Sequence, residues 1–246
     1  MRYARLNFVK SYRRHVREIR SEVADERTGM ELAVGGEFEA MGRLERDLLI
    51  AHGLRSDSSV ADIGCGSGRL ALPLSEYLSG AGAYLGTDVV PELLDYARRL
   101  VNRPDWRFEL VTGLNIQAPD ASFDFVCFFS VFTHLLHEES YRYLEEARRV
   151  VRPSGKIVFS FLEFAVPDHW QVFESNLAAI GSQHHLNQFM SWDGVRAWAD
   201  HLRLELVGIW RGDEAHIPLT APVVRESGTR YEKLGTIGQS VAVLRR

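Results

Sequence analysis

Residues 60–69 have the sequence VADIGCGSGR, and this stretch decides the fold. Its first four residues form a short, largely apolar run that glycines stop, which predicts a buried strand followed by a loop. Gly64, Gly66 and Gly68 allow positive φ angles and a close approach of backbone to a ligand. Residues 70–78 then have the apolar spacing of a helix. The stretch is therefore predicted to be a strand–loop–helix unit whose loop binds a ligand.

Beyond this unit, the chain alternates between strand-like and helix-like segments. Further strands are predicted at residues 83–87, 106–111, 123–129, 156–161, 204–210 and 240–244, and further helices at 91–100, 141–151 and 192–201. Such alternation is typical of βαβ units with right-handed crossovers and a mostly parallel sheet. The fold class is therefore α/β.

Two regions depart from this alternation. Residues 1–54 are predicted to form a helical extension, interrupted at Gly35 and Gly36 by either a simple turn or a backbone approach to bound ligand. Residues 55–246 form the main domain, and its segment 163–200 is too long and aromatic for a simple connection. We interpret that segment as a capping insertion, whose last helix Ser191 would cap.

The composition is that of an ordinary globular protein, with 46% hydrophobic and 25% charged residues and a net charge of −4. It provides no basic field for nucleic acid. A local basic cluster is interpreted as a solvated helix face, with an acidic substrate or lipid head groups as the alternative: Arg2, Arg5, Lys10, Arg13, Arg14, Arg17 and Arg20. With no apolar run long enough to span a bilayer, no signal peptide and two cysteines that make no disulfide framework, a cytoplasmic protein is expected.

Two carboxylates distinguish the ligand from a dinucleotide. Asp62 lies at the strand end directly before the glycines, where it would repel a pyrophosphate and attract a cationic amino group. Arg69 stands where a dinucleotide-binding loop has a small residue. Asp88 lies 24 residues after Gly64, near the distance expected for a residue that binds ribose hydroxyls, which is the favoured role. Capping of the helix that opens at Pro91 is the alternative, and the two roles are compatible. These residues favour an amino-acid-bearing nucleoside over NAD.

Four motifs in order carry a family resemblance. The sequence DIGCGSG at 62–68, the acidic Asp88, SFDFV at 122–126 and VRPSGK at 151–156 resemble the motifs of class I S-adenosylmethionine (SAM) methyltransferases. The resemblance covers roughly residues 55–162. It implies a Rossmann-like, doubly wound, seven-stranded sheet in the order 3-2-1-4-5-7-6, with the seventh strand antiparallel.

The resemblance also implies roles for individual residues around SAM. The methionine part would meet Asp62 and the glycine loop, the ribose would meet Asp88 and its neighbour, adenine would meet the segment after the third strand, and the amino-acid end would meet a carbonyl after the fourth. The residues concerned are Asp62, Gly64, Cys65, Gly66, Gly68, Asp88, Val89, Gly113, Leu114, Asn115 and Ser130.

His134 is the candidate catalytic base, because the ordinary pKa of histidine suits proton removal near neutral pH. A histidine that only packs against the cofactor is an equal alternative. An acceptor pocket is expected from His184, Asn187, Trp192 and His216, with buried structural hydrogen bonding as the alternative. The histidine spacing does not suggest a metal site.

The leading hypothesis is methyl transfer from SAM to a small-molecule or glycosidic hydroxyl. Residues 131–144 and the sequence GQSV at 238–241 look similar to bacterial methyltransferases of surface-glycan and secondary-metabolite pathways. A SAM-binding regulator without turnover and an NAD-dependent dehydrogenase are the alternatives. Nucleic acid is not an expected partner, no membrane span is expected, and the sequence defines no oligomeric state.

Overall fold

The computed structural model describes residues 7–181 and 186–246. The helices are α1 (Asn7–Glu22), α2 (Glu26–Leu32), α3 (Phe38–Ala51), α4 (Ala71–Tyr77), α5 (Pro91–Val101), α6 (His137–Val150), α7 (His169–Ala178) and α8 (Trp192–His201), with a short 3-10 helix at Phe132–His134. The strands are β1 (Ser59–Ile63), β2 (Ala83–Asp88), β3 (Arg107–Leu110), β4 (Phe123–Phe128), β5 (Val151–Phe161), β6 (Glu205–Trp210), β7 (Ile217–Pro218), β8 (Val223–Val224), β9 (Arg230–Tyr231), β10 (Leu234–Gly235) and β11 (Ser240–Arg245).

Seven strands form one sheet in the order β3-β2-β1-β4-β5-β11-β6. Strand β11 runs antiparallel to both its neighbours, whereas the pairs from β3 to β5 are parallel. The four short strands β7–β10 pair outside this sheet, so β11 is its seventh strand. The predicted fold class and strand order are therefore confirmed. The strand order reverses at β1, which places a ligand cleft at its carboxyl end.

The sheet is buried on both faces. All five residues of β1 are buried, and they alternate between two apolar clusters: Val60 packs in one, and Ala61 and Ile63 pack in the other. Burial on both sides is the reason that β1 has a nearly continuous apolar sequence. The position of its one carboxylate, Asp62, is therefore fixed by a fully packed strand.

The structure differs from the sequence predictions at the start of one helix and of one strand, and by one additional helix. Helix α6 starts at His137 rather than near residue 141, because the Glu139 carboxylate accepts a hydrogen bond from Leu136 N–H at 2.9 Å. Strand β5 starts at Val151 rather than at residue 156, and its register with β4 is irregular near its start. Helix α2 was missed; Asp25 begins it by accepting from Thr28 N–H at 2.7 Å.

The segment after β5 contains one helix that the sequence pattern did not indicate, α7, and one that it did, α8. Ser191 caps α8 as predicted, accepting from Gly194 N–H. The described ranges contain no helix with the length and apolar character needed to cross a membrane. Cys65 and Cys127 are buried free thiols.

Close packing of α3 on α4 gives a stability prediction. A Cβ added at Gly42 would overlap the carbonyl oxygen of Arg69, a backbone atom that cannot move aside easily. We expect Gly42→Ala to lower the free energy of unfolding by about 1–3 kcal/mol, in spite of the better helix propensity of alanine.

Urea unfolding of Gly42→Ala and of the control Gly80→Ala measures this effect. A Cβ at Gly80 would meet nothing within 4 Å, so the control should stay within roughly 0.5 kcal/mol of the wild type. Equal midpoints for the two variants would contradict the packing assignment.

Candidate functional site

A cavity of about 590 Å³ opens at the carboxyl ends of β1, β2, β4 and β5. Its inner part is formed by the glycine loop and the residues that end these strands. Helix α1 and the turn between α2 and α3 cover one side, and α7 with the β8–β9 hairpin forms the other. The cavity therefore has an inner half on the strand ends and an outer half on elements from distant parts of the chain.

The glycine loop is held against β2 by its backbone. Gly64 and Cys65 both donate N–H to the carbonyl oxygen of Thr87, at 2.7 and 2.9 Å. Gly64 and Gly66 have φ angles of 77° and 55°, and a Cβ on either would overlap a neighbouring valine. Gly68 instead lies against Ala97 of α5, outside the cavity lining. Gly64 and Gly66 thus shape the cavity wall, whereas Gly68 serves helix packing.

Asp88 is buried at the end of β2 and connects this strand to the glycine loop. Its Oδ2 accepts from Gly66 N–H at 3.0 Å and its Oδ1 accepts from Val90 N–H at 2.8 Å. Burial raises the pKa of Asp88 to about 6, against the opposing effect of these bonds. Each oxygen retains further acceptor capacity, so supporting the start of α5 and binding a ligand hydroxyl are compatible.

Asp62 is the second buried carboxylate of the inner half. Its Oδ2 accepts from the Tyr84 hydroxyl at 2.7 Å, and burial raises its pKa to about 7. The nearby guanidinium of Arg69 is engaged elsewhere, by Glu45 at 2.6 Å and by the carbonyl oxygen of Val34 at 2.7 Å. Within the described ranges, neither Asp62 nor Asp88 has an ion-pair partner. The inner half consequently favours a cationic ligand.

The N-terminal helices cover this inner half. Tyr12 and His15 of α1 line the cavity, and Arg13 donates from Nε to the carbonyl oxygen of Val89 at 2.7 Å. Ser67 of the glycine loop donates to the carbonyl oxygen of Met30 at 2.9 Å. Gly35, one of the two glycines between α2 and α3, lines the cavity with a φ of 96°. The N-terminal helices are therefore hydrogen-bonded to the glycine loop and to the residue that follows β2.

His134 lines the same cavity at the end of the 3-10 helix. Its Nδ1 lies 2.8 Å from the carbonyl oxygen of Leu186, which can only accept, so Nδ1 carries the proton and Nε2 of the neutral ring carries the lone pair. Burial lowers the pKa of His134. The ring also lies 5.6 Å from that of Tyr12. This geometry suits a base, and it leaves the packing alternative open.

The remaining cofactor candidates divide into two groups. Cys65, Val89 and Ser130 line the cavity. Ser130 has a φ of 59° and donates its N–H to Ser160 Oγ at 2.7 Å. Its carbonyl oxygen accepts from the Thr133 hydroxyl at 2.9 Å. Gly113, Leu114 and Asn115 lie outside the lining, which Val111 reaches instead. The Gly113 carbonyl oxygen accepts from the Tyr143 hydroxyl at 3.1 Å. The adenine assignment of these three residues stays a prediction.

Of the three predicted acceptor residues that the structure describes, one lies in the cavity. Asn187 lines it and donates to Asn176 Oδ1 at 2.9 Å. Trp192 lies outside the lining, packed on the core at the start of α8, and His216 stacks on Trp210 with ring centres 5.6 Å apart. Both rings are half-buried outside this cavity, Trp192 against the core and His216 against Trp210, so their acceptor role stays a prediction. His184 lies outside the described residues.

Sequence reasoning missed most of the outer half. Glu37, Asp168, His169, Arg225 and Gln239 line it. They come from the α2–α3 turn, the segment into α7, the β8–β9 hairpin and the approach to β11, and no motif links them. His169 is structurally engaged, accepting from Glu163 N–H at 3.0 Å and donating to the carbonyl oxygen of Gly238 at 2.9 Å.

Over residues 7–181 and 186–246, no three His, Cys, Asp or Glu side chains are grouped in a way that could hold a metal ion.

Comparison with known families agrees with this geometry. Residues 61–159, which include the end of β1, the glycine loop, Asp88 and most of β5, match the family described as "Methyltransferase domain". The matched residues belong to a methyltransferase domain, and the chain has the fold of class I SAM-dependent methyltransferases. The sheet order is the one that the resemblance implied.

Similar proteins support the same domain without defining its acceptor. A demethylmenaquinone methyltransferase of Symbiobacterium thermophilum is 24% identical over 172 residues, covering 65% of this chain and 66% of the relative. The chain spans between 32% and 66% of the length of the curated relatives that it matches.

Solved structures extend the likeness to nearly the whole chain. A Haloferax volcanii methyltransferase, solved in complex with an activator protein, has a TM-score of 0.62, 18% identity and 99% coverage of both chains. Magnesium protoporphyrin IX methyltransferase of Synechocystis, solved with bound SAH, has a TM-score of 0.59, 13% identity and coverage of 95% and 93%. At this identity they show the fold.

Burial of Asp62 in the methyltransferase domain gives a prediction for stability. The pKa of Asp62 is about 7 in the folded protein, above the ordinary 3.8, so the folded state binds this proton more tightly than the unfolded chain does. The resulting contribution to the free energy of unfolding is fully present below pH 3.8 and is lost as the pH rises to 7. The loss amounts to about 4 kcal/mol. We expect ligand-free Asp62→Asn to escape this loss and to be more stable than the wild type by about 2–4 kcal/mol at pH 8.

Urea unfolding at pH 5 and pH 8 measures the difference, and Asp124→Asn is a control of opposite sign. The pKa of Asp124 is lowered despite partial burial, because it accepts from Ser59 and pairs with Arg152. That variant should therefore lose stability at pH 8. Parallel pH dependence of the wild type and Asp62→Asn would show that Asp62 is not held at a raised pKa.

Proposed function

We propose that the cavity binds SAM in its inner half and that the enzyme methylates a hydroxyl oxygen of a small-molecule or glycosidic acceptor in its outer half. The observation that carries this proposal is the position of His134, which shares one cavity with both buried carboxylates and with the polar outer wall. Hydroxyl methylation needs these components together: a cation site, an aligned acceptor and a base.

The inner half suits SAM on chemical grounds. Asp62 would accept from the ammonium group, Asp88 would accept from the ribose hydroxyls, and the Ser130 carbonyl would meet the amino-acid end. Two buried carboxylates that form no ion pair with any described residue complement a ligand that carries an ammonium and a sulfonium. Gly64, Cys65 and Gly66 would lie against the methionine part, Val89 beside the ribose, and Gly113, Leu114 and Asn115 toward adenine. When bound, SAM supplies an electrophilic methyl group.

His134 would hold the acceptor hydroxyl and remove its proton. The Nδ1 bond to Leu186 fixes the ring orientation and directs the basic lone pair to Nε2. Because burial lowers its pKa, the ring is neutral at pH 7 and able to accept a proton. Tyr12 and His15 would exclude water from the inner half. This gives residues 1–54 the role of a cap on the methyltransferase domain, 55–246, with residues 163–200 as its second cover.

The acceptor class is inferred from the cavity rather than from relatives. The proteins compared above are named for demethylmenaquinone and magnesium protoporphyrin IX, which differ in chemistry. The cavity of about 590 Å³ must hold both SAM and acceptor, which favours a small molecule or the end of a glycan.

The role of Asp88 is tested by SAM binding. Asp88→Asn keeps the size of the side chain and removes the charge and one acceptor. We expect SAM affinity to fall more than about tenfold, since a hydrogen bond to a charged group contributes roughly 1.5–3 kcal/mol. Calorimetry with Asp95→Asn, an exposed carboxylate of α5, provides the control. Unchanged affinity in Asp88→Asn would remove the ribose role, and binding of NAD instead of SAM would remove the proposed function.

The role of His134 is tested by turnover, once methyl-labelled SAM and fractionated extract of the source organism have identified the labelled product. His134→Gln should lower kcat by about 10²-fold with SAM affinity little altered. His137→Gln is a matched control, because His137 also bonds a backbone carbonyl, that of Phe189 at 2.9 Å, yet lies outside the cavity lining.

The pH profile separates a base from a packing residue. Wild-type kcat at saturating SAM should fall only below the ordinary histidine pKa of about 6.5, and His134→Gln should lack this decline. Preserved turnover with weakened SAM binding would identify His134 as a packing residue. SAM binding with no transfer to any extract component would contradict an enzyme.

A further inference from the structure

Arg225 is a cationic side chain of the outer cavity wall that the protein leaves largely unused. Its Nε is buried and has no hydrogen-bond partner, and its ion-pair partner Glu37 lies 3.4 Å away. Within the part of the chain that the structure describes, its guanidinium makes no hydrogen bond. Arg69, the other arginine of the lining, differs in that both a carboxylate and a carbonyl oxygen engage it.

Glu37 cannot fully satisfy Arg225 because its carboxylate is held elsewhere. The Oε2 atom accepts from Glu226 N–H at 2.8 Å, while Oε1 faces Arg225 Nε beyond the usual range of a hydrogen bond. Glu37 also has a φ of 50°, which limits its freedom to adjust. The planar donors of Arg225 therefore remain available to a second oxyanion, which can accept two parallel hydrogen bonds.

The backbone that carries Arg225 is fixed. Arg225 donates N–H to the Thr229 carbonyl oxygen and accepts from Gly228 N–H, both at 2.9 Å, so it begins the tight turn between β8 and β9. Val223 of β8 packs in the core beside α3. The Arg225 side chain is 27% exposed, and Arg225 also lines a second cavity, of about 320 Å³, outside the first. It thus lies at the mouth of the acceptor half, within reach of an incoming molecule.

We propose that Arg225 binds an anionic oxygen group, carboxylate or phosphate, on the acceptor, so that the substrate is an acidic hydroxyl compound. This inference rests on the proposed function and specifies its substrate class. The half assigned to SAM holds buried carboxylates that form no ion pair with any described residue. The half assigned to the acceptor contains the carboxylates of Glu37 and Asp168 as well, but Arg225 is its one described arginine and is incompletely paired. An anionic acceptor anchored at the mouth would be oriented by two parallel hydrogen bonds.

Calorimetry tests the site. Benzoate and inorganic phosphate are each titrated into the SAH-loaded protein, and the two affinities distinguish a carboxylate site from a phosphate site. Arg225→Gln should weaken binding of the preferred anion by roughly 10- to 100-fold. Glu37→Gln should strengthen it several-fold, because the amide oxygen can still accept from Glu226 while the competing charge is gone. Arg230→Gln is the matched control: Arg230 belongs to the same hairpin, is exposed and pairs with Glu232.

Kinetics with the identified acceptor and its uncharged ester or amide provides the second readout. Arg225→Gln should raise KM for the acidic acceptor about tenfold or more with kcat little changed, and should abolish the preference over the uncharged analogue. Equal anion binding by the wild type and Arg225→Gln, or a neutral acceptor methylated as well as an acidic one, would overturn this inference. In that case SAM binding and His134-dependent transfer would persist, whereas failure of the proposed function would remove both.

Discussion

Two carboxylates are buried at the ends of neighbouring strands, and neither forms an ion pair with any residue that the structure describes. Asp62 and Asp88 are only 3% and 4% exposed. Hydrogen bonds from the Tyr84 hydroxyl and from two backbone N–H groups compensate burial in part, and both pKa values stay raised. The folded protein therefore holds a destabilising arrangement that a cationic ligand relieves. The remainder of the site is organised around this constraint.

The sheet provides the rigidity that such an arrangement needs. Strand β1 is packed on both faces and lies between β2 and β4 at the point where the strand order reverses. The glycine loop is bonded to the end of β2, so Asp62, the loop and Asp88 cannot separate. Helices α1 and α2 then bond to Val89 and to the glycine loop, which limits access of water to the carboxylates. Because little water reaches these carboxylates, their electrostatic interactions with a ligand are stronger.

The inner half of the site was predictable because one continuous stretch encodes it. Strand β1, its glycines and Asp62 are adjacent in sequence, and Asp88 follows one βα unit later, so local pattern was sufficient. The seventh strand was also predictable from its apolar run. The short helix α2 was not, because its burial depends on contact with the loop and α5 rather than on periodicity. The division of the chain at residue 54 stays a prediction.

The outer half was not predictable for a topological reason. Glu37 and Arg225 are separated by most of the chain and meet only because the β8–β9 hairpin packs on α3. Aromatic and histidine content suggested Trp192 and His216 instead, yet Trp192 packs half-buried on the core and His216 stacks on Trp210, both outside the cavity lining. A residue type indicates what a side chain can do, whereas the fold decides whether it faces a cavity. Asn187 does lie in the cavity, because it follows Leu186, whose carbonyl oxygen is hydrogen-bonded to His134 Nδ1.

Proton release on SAM binding tests the central claim most directly. At pH 6.5 the ligand-free carboxylates Asp62 and Asp88 together hold about one proton, given their pKa values of about 7 and about 6. A cationic ligand should lower both pKa values and expel that proton. Calorimetric titration with SAM at pH 6.5, in two buffers of different ionisation enthalpy, should show release of about one proton per site. Binding without proton release, or no binding of SAM, would contradict the claim that these buried carboxylates form the cation site.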